Sequence, residues 1–233
     1  MYRLTSEQLE WLKWVAIIAM LIDHSCKILL PINELLYPWG LVFGRIAFPF
    51  FAFVMAYNLL HHVRDKSKYT SRLFILALIS QAPLQFAFQN IFLLNIFFTL
   101  SLGSLLVWGM ELCREERTVK RLSFLAIGLF LTLIIGPFVD YSTAGILAIP
   151  CFYLFLQERR SVRLFYLLCS ILFVAAGQIN IYMALFAMIP FVLLLLVPTW
   201  ELTYVRRLPK WFYYAFYPVH LIVLGVVALL VQG

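Results

Sequence analysis

The stretch LKWVAIIAMLIDHSCKI, residues 12–28, decides the fold. With its flanks it forms an apolar run over 10-30, and about 20 such residues suffice to cross the hydrocarbon core of a bilayer. Asp23, His24 and Lys27 interrupt the second half of that run. Comparable runs follow at 38-60, 70-88, 91-112, 122-139, 142-157, 164-178, 180-198 and 211-231. The pattern predicts an all-α, polytopic membrane helical bundle of about nine transmembrane helices. Several runs are separated only by turns such as Gln89-Asn90 or Gln178-Ile179-Asn180, so their helices must be tight antiparallel hairpins.

Composition agrees. The 233 residues are 64% hydrophobic and 12% charged, whereas soluble domains average about half apolar and roughly a quarter charged residues. No soluble fold hides so much apolar surface, and nearly the whole chain is span, so residues 1-233 read as a single integral membrane domain. The net charge of +7 does not indicate nucleic acid, because the basic residues sit in short loops and form no continuous stripe. The first span is too long and too polar for a cleaved signal peptide, and Thr5 with Gln8 has capping-box spacing at its start. Cys26, Cys113, Cys151 and Cys169 are far apart, without C-x-x-C spacing or nearby histidine ligands, so they read as small hydrophobes and no metal is expected.

Sixteen of the 18 Lys and Arg, all except Lys27 and Arg45, fall near the N-terminus (Arg3, Lys13) or in alternate connections. These are Arg64 to Arg72, Arg114 to Arg121, Arg159 to Arg163 and Arg206 to Lys210. The intervening connections carry none. Nine crossings put all of these on one side, so the positive-inside rule places the N-terminus in the cytoplasm and the C-terminus outside.

The exceptions matter most. A charge at membrane depth costs about 2.5–3.5 kcal/mol or more unless it is paired or hydrated. Asp23 and Lys27 are four apart on one helix face, acid first, the favourable order for an ion pair. Asp23 and Arg45 both lie about 10 Å below the outer surface, measured from the short turn containing Pro31 and Pro38, which predicts a contact between them. Adjacent helical residues point about 100° apart, so a helper for His24 should come from another span. His220 follows Pro218 on a face shared with Tyr213 and Tyr217. Gln81 and Gln85, Asn95 and Thr99, and Asp140 with Tyr141 lie at compatible depths and suggest a wet cavity opening outward. The plain alternative is structural: helix-pinning ion pairs, packed histidines, interhelical amide bonds and an N-cap at Asp140. Pro49, Pro83 and Pro218 can kink helices around such a cavity, while His61 and His62 fall at the inner end of the second span.

At these same residues the chain resembles the TraX family of membrane proteins associated with N-terminal acetylation of conjugative pilin. The resemblance rests on residues 12–28, on GRIAFPFFAF (44–53), KYTSRLFILALISQAP (68–83), NIFFTLSLG (95–103), DYSTAG (140–145) and YPVHL (217–221). It implies importance for Asp23, His24, Arg45, Asn95, Asp140 and His220, acetyl-CoA as donor, and a peptide or other amine as acceptor. It also implies residence in the bacterial cytoplasmic (inner) membrane.

Such a transfer needs a base near the acceptor, because an ammonium cannot attack a thioester. His24 takes that role, with Asp23 and Arg45 as charged scaffold, while His220, Asn95, Thr99, Tyr217, Gln81 and Asp140 are candidates to bind substrate. Arg64, Lys68 and Arg72, with Arg114 and Arg206, suit the phosphates of the donor better than Arg45, whose depth argues against that. Two other readings compete: a small proton-coupled transporter or lipid flippase, and a noncatalytic pilus or envelope assembly factor.

Overall fold

A computed structural model describes residues 2–30, 35–178 and 180–232. The chain is all-helical, and among the described residues the only extended pairing is an isolated bridge between Leu94 and Val139. The helices are α1 (Ser6–Leu29), α2 (Leu36–Gly44), α3 (Ala47–His61), α4 (Lys66–Phe88), α5 (Ile96–Glu115), α6 (Val119–Ile135), α7 (Ser142–Gln157), α8 (Arg160–Ala176), α9 (Ile181–Phe186), α10 (Ile189–Leu196) and α11 (Lys210–Gln232). Among the described residues six helical stretches are long and apolar enough to cross a membrane: Leu36–His61, Lys66–Phe88, Ile96–Glu115, Val119–Phe138, Ile181–Thr199 and Lys210–Val231. Two shorter apolar helices are Ser142–Gln157 and Ser161–Ala176.

All nine apolar runs are helical, but four details differ from the sequence reading. The second run is broken at Arg45 and Ile46. Pro49 explains this: it offers no N–H to the Arg45 carbonyl, and its ring clashes with that carbonyl four residues back. The chain turns there instead, through Arg45 N–H to Val42 O (3.2 Å) and Ile46 N–H to Phe43 O (3.1 Å). Pro38 belongs to the first turn of α2 rather than to a loop, whereas Pro31 and Ile179 lie outside the described residues. The helix of the fourth run, α5, begins at Ile96, not near 91, because Leu94 N–H is bonded to Phe138 O (2.8 Å) and Asn95 caps the helix by accepting from Phe97 N–H (3.0 Å). Gln89 closes α4 with a φ of 51°, in the left-handed region where helices commonly end. The eighth run is interrupted between α9 and α10, ahead of Pro190.

The described residues form two compact units. One comprises Met1–Val54, Ile79–Ile91 and Gln178–Gly233; the other comprises Met55–Leu78 and Phe92–Gly177. In the second unit, Leu102, Leu106, Val139 and Ile146 form a core joining α5 to α7. Gly103 lets these helices approach, since a Cβ there would stand 2.4 Å from Ile149 Cδ1. Thr70 and Ser104 share a buried hydroxyl contact of 2.7 Å between α4 and α5, and Arg114 binds the side chains of Gln157 and Glu158.

In the first unit, α1 begins with the expected capping box. Thr5 Oγ1 accepts from Gln8 N–H (3.2 Å) and Gln8 Oε1 accepts from Thr5 N–H (2.9 Å). Gln8 Nε2 also donates to Trp200 O (2.9 Å), and Trp14 Nε1 donates to Arg206 O (2.9 Å). Arg207 pairs with Glu7 at 2.7 Å and holds that carboxyl below its usual range, while Tyr213 bonds Glu10. These ties fasten the start of α1 to the segment leading into α11, so the two helices run parallel. Helices α1 and α2 approach closely at Gly40 and Gly44, a G-x-x-x-G pair. A Cβ at Gly40 would lie 2.1 Å from Cys26 Sγ and 2.4 Å from Cys26 Cβ, so no rotamer change relieves it. Gly40→Val is therefore expected to destabilise the protein by about 1–3 kcal/mol, read as a lower Tm in detergent; an unchanged Tm would show that the helices are not packed there.

Candidate functional site

Three elements of the first unit build the polar centre. Helix α1 carries Asp23, His24 and Lys27 in its last two turns; the α2–α3 break supplies Arg45; α11 supplies Tyr217 and His220. Asp23, His24, Arg45, Tyr217 and His220 are each at least nine-tenths buried.

Asp23 sits between two cations. Lys27 Nζ donates to Asp23 Oδ2 at 2.6 Å, one helical turn along, and Arg45 Nη2 reaches Asp23 Oδ1 at 3.5 Å. Arg45 also donates through Nε to Leu41 O (3.3 Å) on its own helix, which aims the guanidinium back along α2 toward α1. Gly44 makes the arrangement possible: a Cβ there would stand 2.2 Å from Asp23 Oδ1. Both ion pairs anticipated from spacing and depth are present.

His24 projects from the adjacent face. Its Nδ1 lies 2.7 Å from His220 Nε2, and His220 Nδ1 lies 2.8 Å from Phe216 O. The helper for His24 thus comes from another helix, as helical geometry requires, and Asp23 Oδ2 stands at 3.9 Å from His24 Nε2, beyond hydrogen-bond range. Phe88 and Tyr217 meet the His24 ring edge-on, with centroids 5.5 and 6.0 Å away. Phe216 lies nearly parallel to His220 at 4.9 Å.

The remaining candidates divide between the units. Gln81 is half-buried on α4 in the first unit, and Gln85 Nε2 donates to Ile91 O at 3.4 Å. An open pocket of about 490 Å³ lies at the ends of α4 and α11, lined by Gln85, Phe86, Gln89 and Gly225 among others. Asn95, Thr99 and Asp140 belong to the second unit. There Asn95 donates to Ala77 O at 2.7 Å besides capping α5, so its amide has the interhelical role that a bland reading assigns it. Thr99 is fully buried. Asp140 is exposed in the turn before α7, whose N-cap is Tyr141. Arg64, Lys68 and Arg72 are exposed in the second unit, with Lys68 3.5 Å from Asp65. Arg114 is committed to Glu158 and Gln157, which removes it from the cations available to a ligand.

Sequence reasoning passed over Gly40, Gly44, Phe88 and Phe216. The G-x-x-x-G spacing of the first two was a legible signal; the two aromatics carry none that separates them from the chain's 22 phenylalanines.

A family model described as TraX protein matches residues 8–228. Two relatives, each named Protein TraX, come from Escherichia coli strain K12 and from Escherichia coli. They are 28% identical over 230 residues and 29% identical over 228 residues, each alignment covering 95% of this chain and 88% of the relative. No solved structure matches.

Removing Asp23 leaves Arg45 buried without its countercharge. Asp23→Ala is expected to cost about 3–5 kcal/mol of stability, and Asp23→Ala combined with Arg45→Met to recover much of it. Thermal melts of both variants read this directly; equal loss in the single and double variants would show that the pair is not coupled.

Proposed function

The chain belongs to the TraX family, and from that premise we propose that it is a membrane acyltransferase moving an acetyl group from acetyl-CoA to an amine, the N-terminus of a pilin-like peptide being the acceptor the family resemblance suggests. The observation that carries this reading is the buried His24–His220 contact at 2.7 Å beside the Asp23, Lys27 and Arg45 cluster. Ionisable groups at membrane depth mark function by default.

Each group has a role in that chemistry. Acetyl-CoA supplies an activated acetyl thioester whose C–S bond breaks as the amide forms, CoA leaving as the thiol once the proton held by His24 is returned to its sulfur. His24 Nε2 takes the proton that the attacking amine must lose. One carboxylate facing two cations leaves the cluster with a positive surplus, suited to the charge that develops on an acyl oxygen. Tyr217 and Phe88 give the site apolar walls that exclude water. For the donor's phosphates, Lys68 and Arg72 stand four apart on α4 with Arg64 nearby. Like charges at that spacing repel, and an anion between them relieves the repulsion.

Nine crossings with the N-terminus in the cytoplasm and the C-terminus outside complete the proposal, in the bacterial inner membrane. The parallel course of α1 and α11 supports an odd number of crossings, since an even number would make the first and last helices antiparallel. Glu7 and His24 are roughly 26 Å apart along α1 at 1.5 Å per residue, so the histidine pair sits in the outer half of this topology.

Purified protein should transfer label from acetyl-CoA to an amine acceptor, and His24→Ala should lower the rate by about 10²–10⁴-fold with the melting curve retained. Full activity in that variant would reject the base assignment, and absence of thermal stabilisation by CoA in the wild type would favour transport or assembly instead. A periplasm-dependent reporter fused after Gly233 should be active, and the same reporter at the N-terminus silent.

A further inference from the structure

The contact between His24 and His220 has a direction. The rings are tilted by only 3°, and their centroids are 5.0 Å apart while the facing nitrogens are 2.7 Å apart. Rings stacked face to face would bring the centroids closer than that. These two lie edge to edge in nearly one plane, so the in-plane lone pair of one nitrogen points at the N–H of the other.

Which nitrogen donates follows from the far end of the chain of contacts. His220 Nδ1 is 2.8 Å from the Phe216 carbonyl oxygen, which can only accept. The proton of neutral His220 therefore sits on Nδ1, and its Nε2 carries the lone pair. That lone pair must receive the proton of His24 Nδ1, which in turn makes Nε2 the accepting nitrogen of the His24 ring. A main-chain carbonyl of α11 thus sets the tautomer of a side chain on α1 through one intervening imidazole.

The geometry points to His220 as a positioning residue that holds His24 in its Nδ1–H tautomer, and not as a substrate-binding group. This rests on the reading of His24 as the base and deepens it. When His24 Nε2 accepts a proton from the amine, Nδ1–H remains bonded to His220 Nε2, and the positive charge on the ring is shared along a hydrogen bond that already exists. No second proton has to move.

The test is ¹⁵N NMR of the full-length protein labelled at histidine, in a His61→Asn/His62→Asn background that leaves two of the 4 histidines. His24 should read as protonated at Nδ1 and bare at Nε2. His220→Ala should shift His24 toward the Nε2–H form that imidazole prefers in water and lower kcat roughly 10–100-fold with little change in KM. His220→Gln, whose amide oxygen reaches the same place, should retain most of the activity. A proton on His24 Nε2 in the otherwise native protein, or a tautomer unchanged by His220→Ala, overturns the proposal. If the tautomer is found as stated while no variant or wild-type protein transfers acetyl groups, the enzymatic reading fails and the positioning role stands, so the two are separable.

Discussion

A single buried carboxylate organises the first unit. Asp23 has to be compensated because a lone charge out of water costs several kcal/mol, and the two cations that compensate it come from different places in the sequence. Lys27 arrives free of charge in design terms, since the helix itself sets the spacing. Arg45 is there only because the second apolar run stops at that residue, so that its side chain can turn back toward α1. The break derives from Pro49, and the approach of the two helices derives from Gly40 and Gly44. Four separate local facts therefore converge on one ion cluster, and the imidazole beside it inherits their rigidity.

The histidine pair depends on a second constraint, the parallel register of α1 and α11. That register is fixed at the opposite end of the helices, where Glu7, Gln8, Glu10 and Trp14 all engage residues between Trp200 and Tyr213. Polar contacts at the helix starts and imidazole contacts in the later turns thus bracket an apolar stretch of α1 that includes Ala16, Ile17 and Met20, all buried. The apolar part gives adhesion without register, because hydrocarbon contacts tolerate sliding. Directional bonds at both ends supply what it lacks.

Much of this was legible in the sequence. Hydropathy located every helical run, though not the breaks within the second and eighth, and gave α7 its bounds; the Thr5/Gln8 spacing gave the α1 cap, and an i,i+4 rule with a depth argument gave both partners of Asp23. The failures share one cause: apolar runs report burial in lipid but not main-chain geometry. Ile91 to Leu94 are as apolar as a helix, yet the bond from Leu94 to Phe138 draws that segment out of one, a long-range contact no window detects. Polarity at similar depth groups Asn95 and Thr99 with Gln81, whereas Asn95 serves α5 and α4 locally. His220 was identified as important, but its tie to Phe216 depends on the ring's position within a turn, which residue spacing does not specify.

Two of the bonds by which α1 grips the stretch before α11 are made to carbonyl oxygens. Gln8 and Trp14 reach Trp200 and Arg206 at the main chain, and one Gln8 amide both caps its helix and holds the strap. Peptide oxygens are the same in every residue. The strap can therefore drift in sequence at those two positions without loosening these two bonds, while its anchors on α1 cannot. For these two bonds tolerance follows the direction of the bond rather than exposure, whereas Arg207 and Tyr213 meet Glu7 and Glu10 through their own side chains and Trp200 also meets the Trp11 ring.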